Sequence, residues 1–239
     1  MAALRTVGIA QLATVVALAV AACAPLVRDA TPVPAAAKAS TPDNFPSVHY
    51  AQAAARGEPV YRIDSARSLV AITVRRGGSL AHLGHDHVVA SRAVQGFVAP
   101  REGRADLFIP LADLSVDEPA LRVEAGLDTQ PSESDIAGTR SNMREKVLEV
   151  QRFPFALVRV DRTAAAGPLA VAITLHGVER TFTLPAPPDS GSGEMVIAGT
   201  LEFNQSDFGI VPFSILGGAI QVQDRLSLRF NIRATGPLP

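Results

Sequence analysis

From residue 225 to residue 233 the chain alternates without a break. Leu226, Leu228, Phe230 and Ile232 are apolar, while Arg225, Ser227, Arg229, Asn231 and Arg233 are polar or charged. Successive side chains of a strand point to opposite faces, so this run specifies a strand with one dry face and one wet face. The period recurs upstream: Val70, Ile72 and Val74 alternate with Ala71, Thr73 and Arg75, and Leu169, Val171, Ile173 and Leu175 alternate with small or polar residues. Ile197, Leu201 and Phe203 share one face of a further strand. Shorter runs at 61–64, 88–98, 155–160 and 181–184 read the same way, and 107–116 reads as a strand pair or one long strand bulged near Pro110. Eight or more strands at this spacing predict an antiparallel barrel or sandwich and argue against a parallel α/β sheet. One helix interrupts them: Asn142 and Glu145 form a capping pair, with Met143, Val147 and Val150 at helical spacing, which places it over 141–150. A shorter helical turn is expected over 118–126.

Three of the five histidines lie between the second and third strand runs, in Ala81-His82-Leu83-Gly84-His85-Asp86-His87. One residue separates His85 from His87, so on an extended segment both point one way and Asp86 points the other. That geometry suits two imidazole ligands of a metal, with His82 or His176 as a third, yet a first-row metal needs three or four convergent ligands and only two are placed. The competing readings are a hydrogen-bonded turn at a barrel rim and contact with a ligand's head group. His82, His85, His87 and His176 are therefore head-group or rim candidates, and no metal or other cofactor is assigned. His176 precedes Gly177 at the tip of a hairpin. Ser206 and Asp207 have no histidine placed beside them, and no Gly-x-Ser-x-Gly elbow occurs, so a hydrolase triad is unsupported.

The start of the chain follows another logic. After Arg5, residues 7–22 are apolar but for Gln11 and Thr14, too short a run for a bilayer span and suited to the core of a signal peptide. It ends at Val20-Ala21-Ala22-Cys23, which resembles a bacterial lipobox. By that resemblance residues 1–22 are a lipoprotein signal peptide and Cys23, the single cysteine, carries the acyl chains that hold the protein to a membrane. Ala24, rather than aspartate, then implies the periplasmic side of the outer membrane in a Gram-negative cell envelope. Residues 23–59, with Pro25, Pro32, Pro34, Pro42 and Pro46, read as an Ala/Pro-rich tether, and the folded domain spans 60–235. A formal net charge of −1 without a long basic run argues against a nucleic-acid partner bound through phosphate neutralisation.

Several segments together resemble the YceI-like family. Tyr61-Arg62-Ile63-Asp64 with Ser68, Val70, Ile72 and Val74 looks like the family's first strand. Residues 142–150 followed by Arg152-Phe153-Pro154-Phe155 look like its helix and the aromatic-proline step into a strand. Ile173-Thr174-Leu175-His176-Gly177-Val178 with Thr181 matches its hairpin, and Asn204, Ser206, Asp207, Phe208 and Gly209 match the segment before the closing strand. The chain departs from the family at Arg67, where many members have histidine, at Gln205, which replaces a basic residue, and in the histidine turn itself. The resemblance covers residues 61–234. It implies an all-β, antiparallel lipocalin-like barrel with one short inserted helix, whose cavity holds an isoprenoid or fatty-acyl chain.

Tryptophan is absent and phenylalanine carries most of the aromatic surface, so Phe97, Phe108, Phe203, Phe208, Phe213 and Phe230 are the candidate cavity lining. The expected function is a lipid-anchored envelope protein that binds or carries a long apolar ligand without catalysis. Two alternatives stand beside it: a metal- or haem-dependent redox or stress-response protein built on His82, His85 and His87, and an anchored interaction module using the outer face.

Overall fold

The computed structural model describes residues 40–162, 164, 167–185 and 193–237. The expectations for residues 1–39, namely the signal peptide, lipidation of Cys23 and the first part of the tether, lie outside the described residues. In chain order the elements are α1 (Ser47–Ala55), β1 (Tyr61–Ile63), β2 (Leu69–Val74), β3 (Arg76–Gly77), β4 (His87–Ser91), β5 (Gln95–Ala99), β6 (Arg104–Pro110) and β7 (Ser115–Val116). Next come α2 (Pro119–Glu124) and α3 (Glu133–Asn142), which runs on into a π-helical turn at Met143–Val147. The chain then returns to strands: β8 (Phe155–Arg162), β9 (Leu169–Leu175), β10 (Val178–Leu184), β11 (Glu194–Asn204), β12 (Ser214–Ile215), β13 (Ile220–Val222) and β14 (Arg225–Thr235).

The fold is all-β and lipocalin-like, with antiparallel pairing throughout the described ladders. Three long strands are each broken once, and the halves lie in line: β1 with β2, β4 with β5, and β6 with β7. This gives eight staves, ordered β11, β14, β1/β2, β5/β4, β6/β7, β8, β9, β10. Buried serines stitch the breaks. Between β1 and β2, Ser68 Oγ accepts from the Arg233 N–H at 3.0 Å, standing in for a ladder bond, and between β4 and β5, Ser91 Oγ accepts from the Ala93 N–H at 3.1 Å. A small second sheet, β12–β13–β3, covers one end.

The barrel expectation holds with one detail added at its closure. β10 and β11 share no ladder among the described residues, and the wall is completed there by ring packing: Phe182 lies 6.3 Å from Phe203 and 6.4 Å from Phe208. The sheet is one seam short of a closed barrel.

Two other expectations shift. The tether does not extend to residue 59, because α1 folds onto the outside of the sheet. Tyr50 and Ala53 are buried with Val60 and Ala99, and Tyr50 Oη donates to Asp106 Oδ2 at 2.8 Å. Burial, then the bond to and charge of Asp106, push the Tyr50 phenol above its ordinary range. The main inserted helix begins at Glu133 rather than Ser141; α2 lies where the shorter helical turn over 118–126 is expected, and α1 is a third helix. The capping box of α3 is Ser132 with Asp135, while Asn142 lies inside the helical run at φ −59° and caps nothing.

Candidate ligand cavity

The inward faces of the staves do not fill the barrel. They enclose a cavity of about 710 Å³, inside the range of small-molecule sites. Val70, Ile72 and Val74 of β2 line it, as the alternation predicts, along with Leu107 and Ile109 of β6 and Phe230 of β14. Met143 and Val147 of the π-helical turn close over one end.

Of the six candidate phenylalanines, Phe203, Phe208, Phe213 and Phe230 line the cavity, and Phe97 and Phe108 do not. The reason is phase. On β6 the odd positions Ala105, Leu107 and Ile109 face inward, so Phe108 faces out, against Phe45 at 4.9 Å and Phe155 at 5.8 Å. Phe97 counts in step with inward Val89, but the break between β4 and β5 shifts the alternation by one, and Val94 and Val98 take the inward places. Phe97 stacks on Tyr50 at 5.2 Å, on the face that α1 covers.

The Asn204–Gly209 segment is a floor. Gln205 is buried with its Nε2 donating to Gln223 O at 2.8 Å, and Ser206 N–H donates to Asp224 Oδ1 at 2.8 Å. Gly209 takes the left-handed conformation, φ 71°, that turns the chain under fully buried Phe208.

The histidine turn stands at the end of the cavity beneath α3. His85 and His87 both line it, with ring centroids 6.3 Å apart, and Asp86 turns away into the wall. There Asp86 accepts from Arg75 Nη1 at 2.9 Å and from the Arg76 N–H at 2.8 Å. Burial alone would raise the Asp86 pKa; these bonds and the two arginine charges outweigh it and hold the carboxyl below its usual range. His82 is exposed on the 3-10 turn and does not line the cavity. His176 is also outside it, at the two-residue β9–β10 turn, where Nε2 meets Glu149 Oε1 at 3.2 Å and the ring packs on Phe153 at 4.5 Å.

Sequence reading missed the partners of His87. Its Nδ1 lies 2.6 Å from Asp117 Oδ2, and Asp117 Oδ1 accepts from the Val88 N–H at 3.0 Å and from Arg122 Nη1 at 2.5 Å. Burial would raise the pKa of Asp117, but the bonds from His87, Val88 and Arg122 keep its carboxyl below the usual range. Arg122, itself buried, also donates to Asp86 O at 2.8 Å and to the Thr129 carbonyl. On the cavity side, His87 Nε2 faces Thr139 Oγ1 of α3 at 3.5 Å, and Asp135 Oδ2 stands 3.8 Å from His85 Nε2. Bonds from the Ser132 hydroxyl and N–H hold Asp135 below the ordinary carboxyl range. His85 Nδ1 is shielded from solvent and has no hydrogen-bond partner. Ser132 and Asp135 carried the one usable signal, a capping pair three apart. Asp117 and Arg122 lie in a stretch with no motif.

Chemically this end can hold and orient a polar group. Asp117, His87 and Thr139 follow one another as in an acid–base relay, but the 3.5 Å step is long and Thr139 lies inside α3, where its own N–H is committed to the helix. Among the described residues no three His, Cys, Asp or Glu side chains converge as metal ligands.

The profile of the YceI-like domain matches residues 61–234. No curated protein matches the chain. Among solved structures, a polyisoprenoid binding domain from Saccharophagus degradans implicated in plant cell wall breakdown is 14% identical, with a TM-score of 0.49 over 74% of this chain and 98% of that one. BcnA of Burkholderia cenocepacia is 17% identical, with a TM-score of 0.49 over 72% of this chain and 99% of its own.

Proposed function

Because the chain belongs to the YceI-like family, we propose that it binds one long apolar molecule, of isoprenoid or fatty-acyl type, inside the barrel, without chemistry on it. The observation that carries this reading is the cavity: about 710 Å³, walled by aliphatic and phenyl side chains and polar chiefly at its ends. Each buried methylene contributes about 0.8 kcal/mol. A ligand burying ~12 of them thus gains roughly 10 kcal/mol to set against the cost of association. The metal-dependent alternative is the less favoured, since it has two imidazoles and no third convergent ligand among the described residues.

The protein works, in this reading, from the cell envelope, anchored through acylated Cys23 on the periplasmic face of an outer membrane. The lipobox-like end of the apolar N-terminal run supports that placement.

Mass spectrometry tests both parts. Solvent extracts of the purified protein are expected to hold a stoichiometric apolar lipid, and the N-terminal peptide a diacylglyceryl mass on Cys23. A Val158→Trp variant, which fills the cavity from β8, is expected to carry at least tenfold less lipid at an unchanged melting temperature. Wild-type protein free of lipid that also fails to take up added isoprenoid would overturn the ligand reading, and an unmodified Cys23 the anchor.

A further inference from the structure

The cavity is asymmetric in one chemical respect: the end under α3 presents a histidine nitrogen whose protonation is dictated from behind. Asp117 is a carboxylate with no side-chain exposure, and a carboxylate can only accept. The 2.6 Å contact to His87 therefore puts the imidazole proton on Nδ1. In the neutral ring Nε2 is then a bare lone pair, and it is the nitrogen that faces the cavity. Its neighbour there, Thr139 Oγ1 at 3.5 Å, stands at the outer limit of a hydrogen bond. His85 adds a second nitrogen, Nδ1, that is out of water and without a partner. Buried polar atoms left unpaired are costly, so this end is complete only when a polar group meets it.

We propose that this end is a head-group site for a ligand hydroxyl, an alcohol or phenol at the terminus of the apolar chain, with His87 Nε2 accepting its O–H and the Thr139 hydroxyl donating to its oxygen. The inference rests on the cavity reading above and adds the class of head group. An ether, ester or ketone offers oxygen lone pairs alone and leaves Nε2 unpaired. A carboxylate or phosphate sets lone pair against lone pair and also meets the Asp135 carboxylate 3.8 Å from His85. The hydroxyl is the group that gives and takes at one atom. Asp117 acts through His87 and is a positioning residue. Arg122 and the Val88 N–H hold its Oδ1, so Oδ2 is the oxygen left for the imidazole.

The test compares three C20 isoprenoids, geranylgeraniol, its methyl ether and geranylgeranoic acid, as competitors of a fluorescent fatty-acyl probe at pH 8. The alcohol is expected to bind at least tenfold tighter than the ether, and the acid weakest. Thr139→Val, a substitution of equal size on a half-exposed helix position, removes the donor that serves either oxygen and is expected to weaken alcohol and ether by a similar severalfold factor, with the preference for the alcohol kept. His87→Phe is expected to bring alcohol and ether to the same affinity. Asp117→Asn keeps its oxygen on Arg122 and Val88 and turns its amide N–H toward Nδ1, which moves the imidazole proton to Nε2. The ether and acid are then expected to gain on the alcohol. Equal affinity of alcohol and ether for the wild type, or a preference that survives His87→Phe in a variant of native melting temperature, would overturn the proposal while leaving the cavity reading intact. Failure of all three compounds to displace the probe would overturn both.

Discussion

Asp117 sits in a left-handed backbone conformation, φ 58°, which costs a non-glycine residue energy and which aspartate tolerates better than most. What compensates is the set of bonds its carboxylate accepts from His87, Val88 and Arg122. Arg122→Ala leaves that carboxylate buried without its guanidinium and is expected to lower stability by about 3–5 kcal/mol in urea at pH 7. A loss under 1 kcal/mol would show that the network is ornamental to the fold. The same titration carries a pH signature. Asp86 and Asp117 both have pKa values lowered by folding, so the unfolded chain takes up their protons first as pH falls. Their contribution is therefore complete above the unfolded carboxylate value, about pH 4, and is lost as the medium is acidified through the lowered folded values. Wild-type stability should fall below about pH 4, and in Arg122→Ala, where Asp117 loses one of the bonds that lower it, that acid limb should be shallower. None of this was legible in the sequence. Asp117 is the first of two adjacent acids between a strand and a helix, and its significance comes from a histidine 30 positions away in the chain.

Among elements, the strands were legible and the joints were not. Alternation located β2, β9 and β14 and the inward sides of β2 and β14, because a two-residue period is a direct print of a half-buried sheet. It failed at Phe97, where an interruption between β4 and β5 reverses in and out, and at α3, whose Ser132–Asp135 cap precedes ten residues with almost no apolar face to announce them. α1 falls inside the expected tether for a related reason: its burial comes down to Tyr50 and Ala53, and its partners lie more than forty residues on, at Phe97 and Asp106. The seam between β10 and β11 gives the prediction at this scale. Amide protons on the facing edges of these strands should exchange with solvent at least tenfold faster than those of β14, which is paired on both sides. Hydrogen–deuterium exchange read by mass spectrometry checks it, and equal protection of β10 and β14 would mean that a ladder closes the wall.

At the scale of the whole molecule, β14 has an unusual position. It is the last strand in chain order among the described residues, yet in space it is interior, pairing with β11 along all of its length on one edge and with β2 and β1 on the other. Its partners on that second edge lie roughly 160 residues earlier, and contacts of such separation are slow to form. A chain ending at residue 224 should therefore show no cooperative unfolding transition in urea, while the full chain folds on a millisecond-to-second scale. A truncated chain that still unfolds cooperatively would show that the remaining staves suffice. For a polypeptide emerging from the ribosome in order, the first strands stay without a neighbour on that edge until β14 is made. Until then that edge offers its unpaired N–H and C=O groups to any strand that passes, so the half-made wall is a template for mispairing that β14 alone removes.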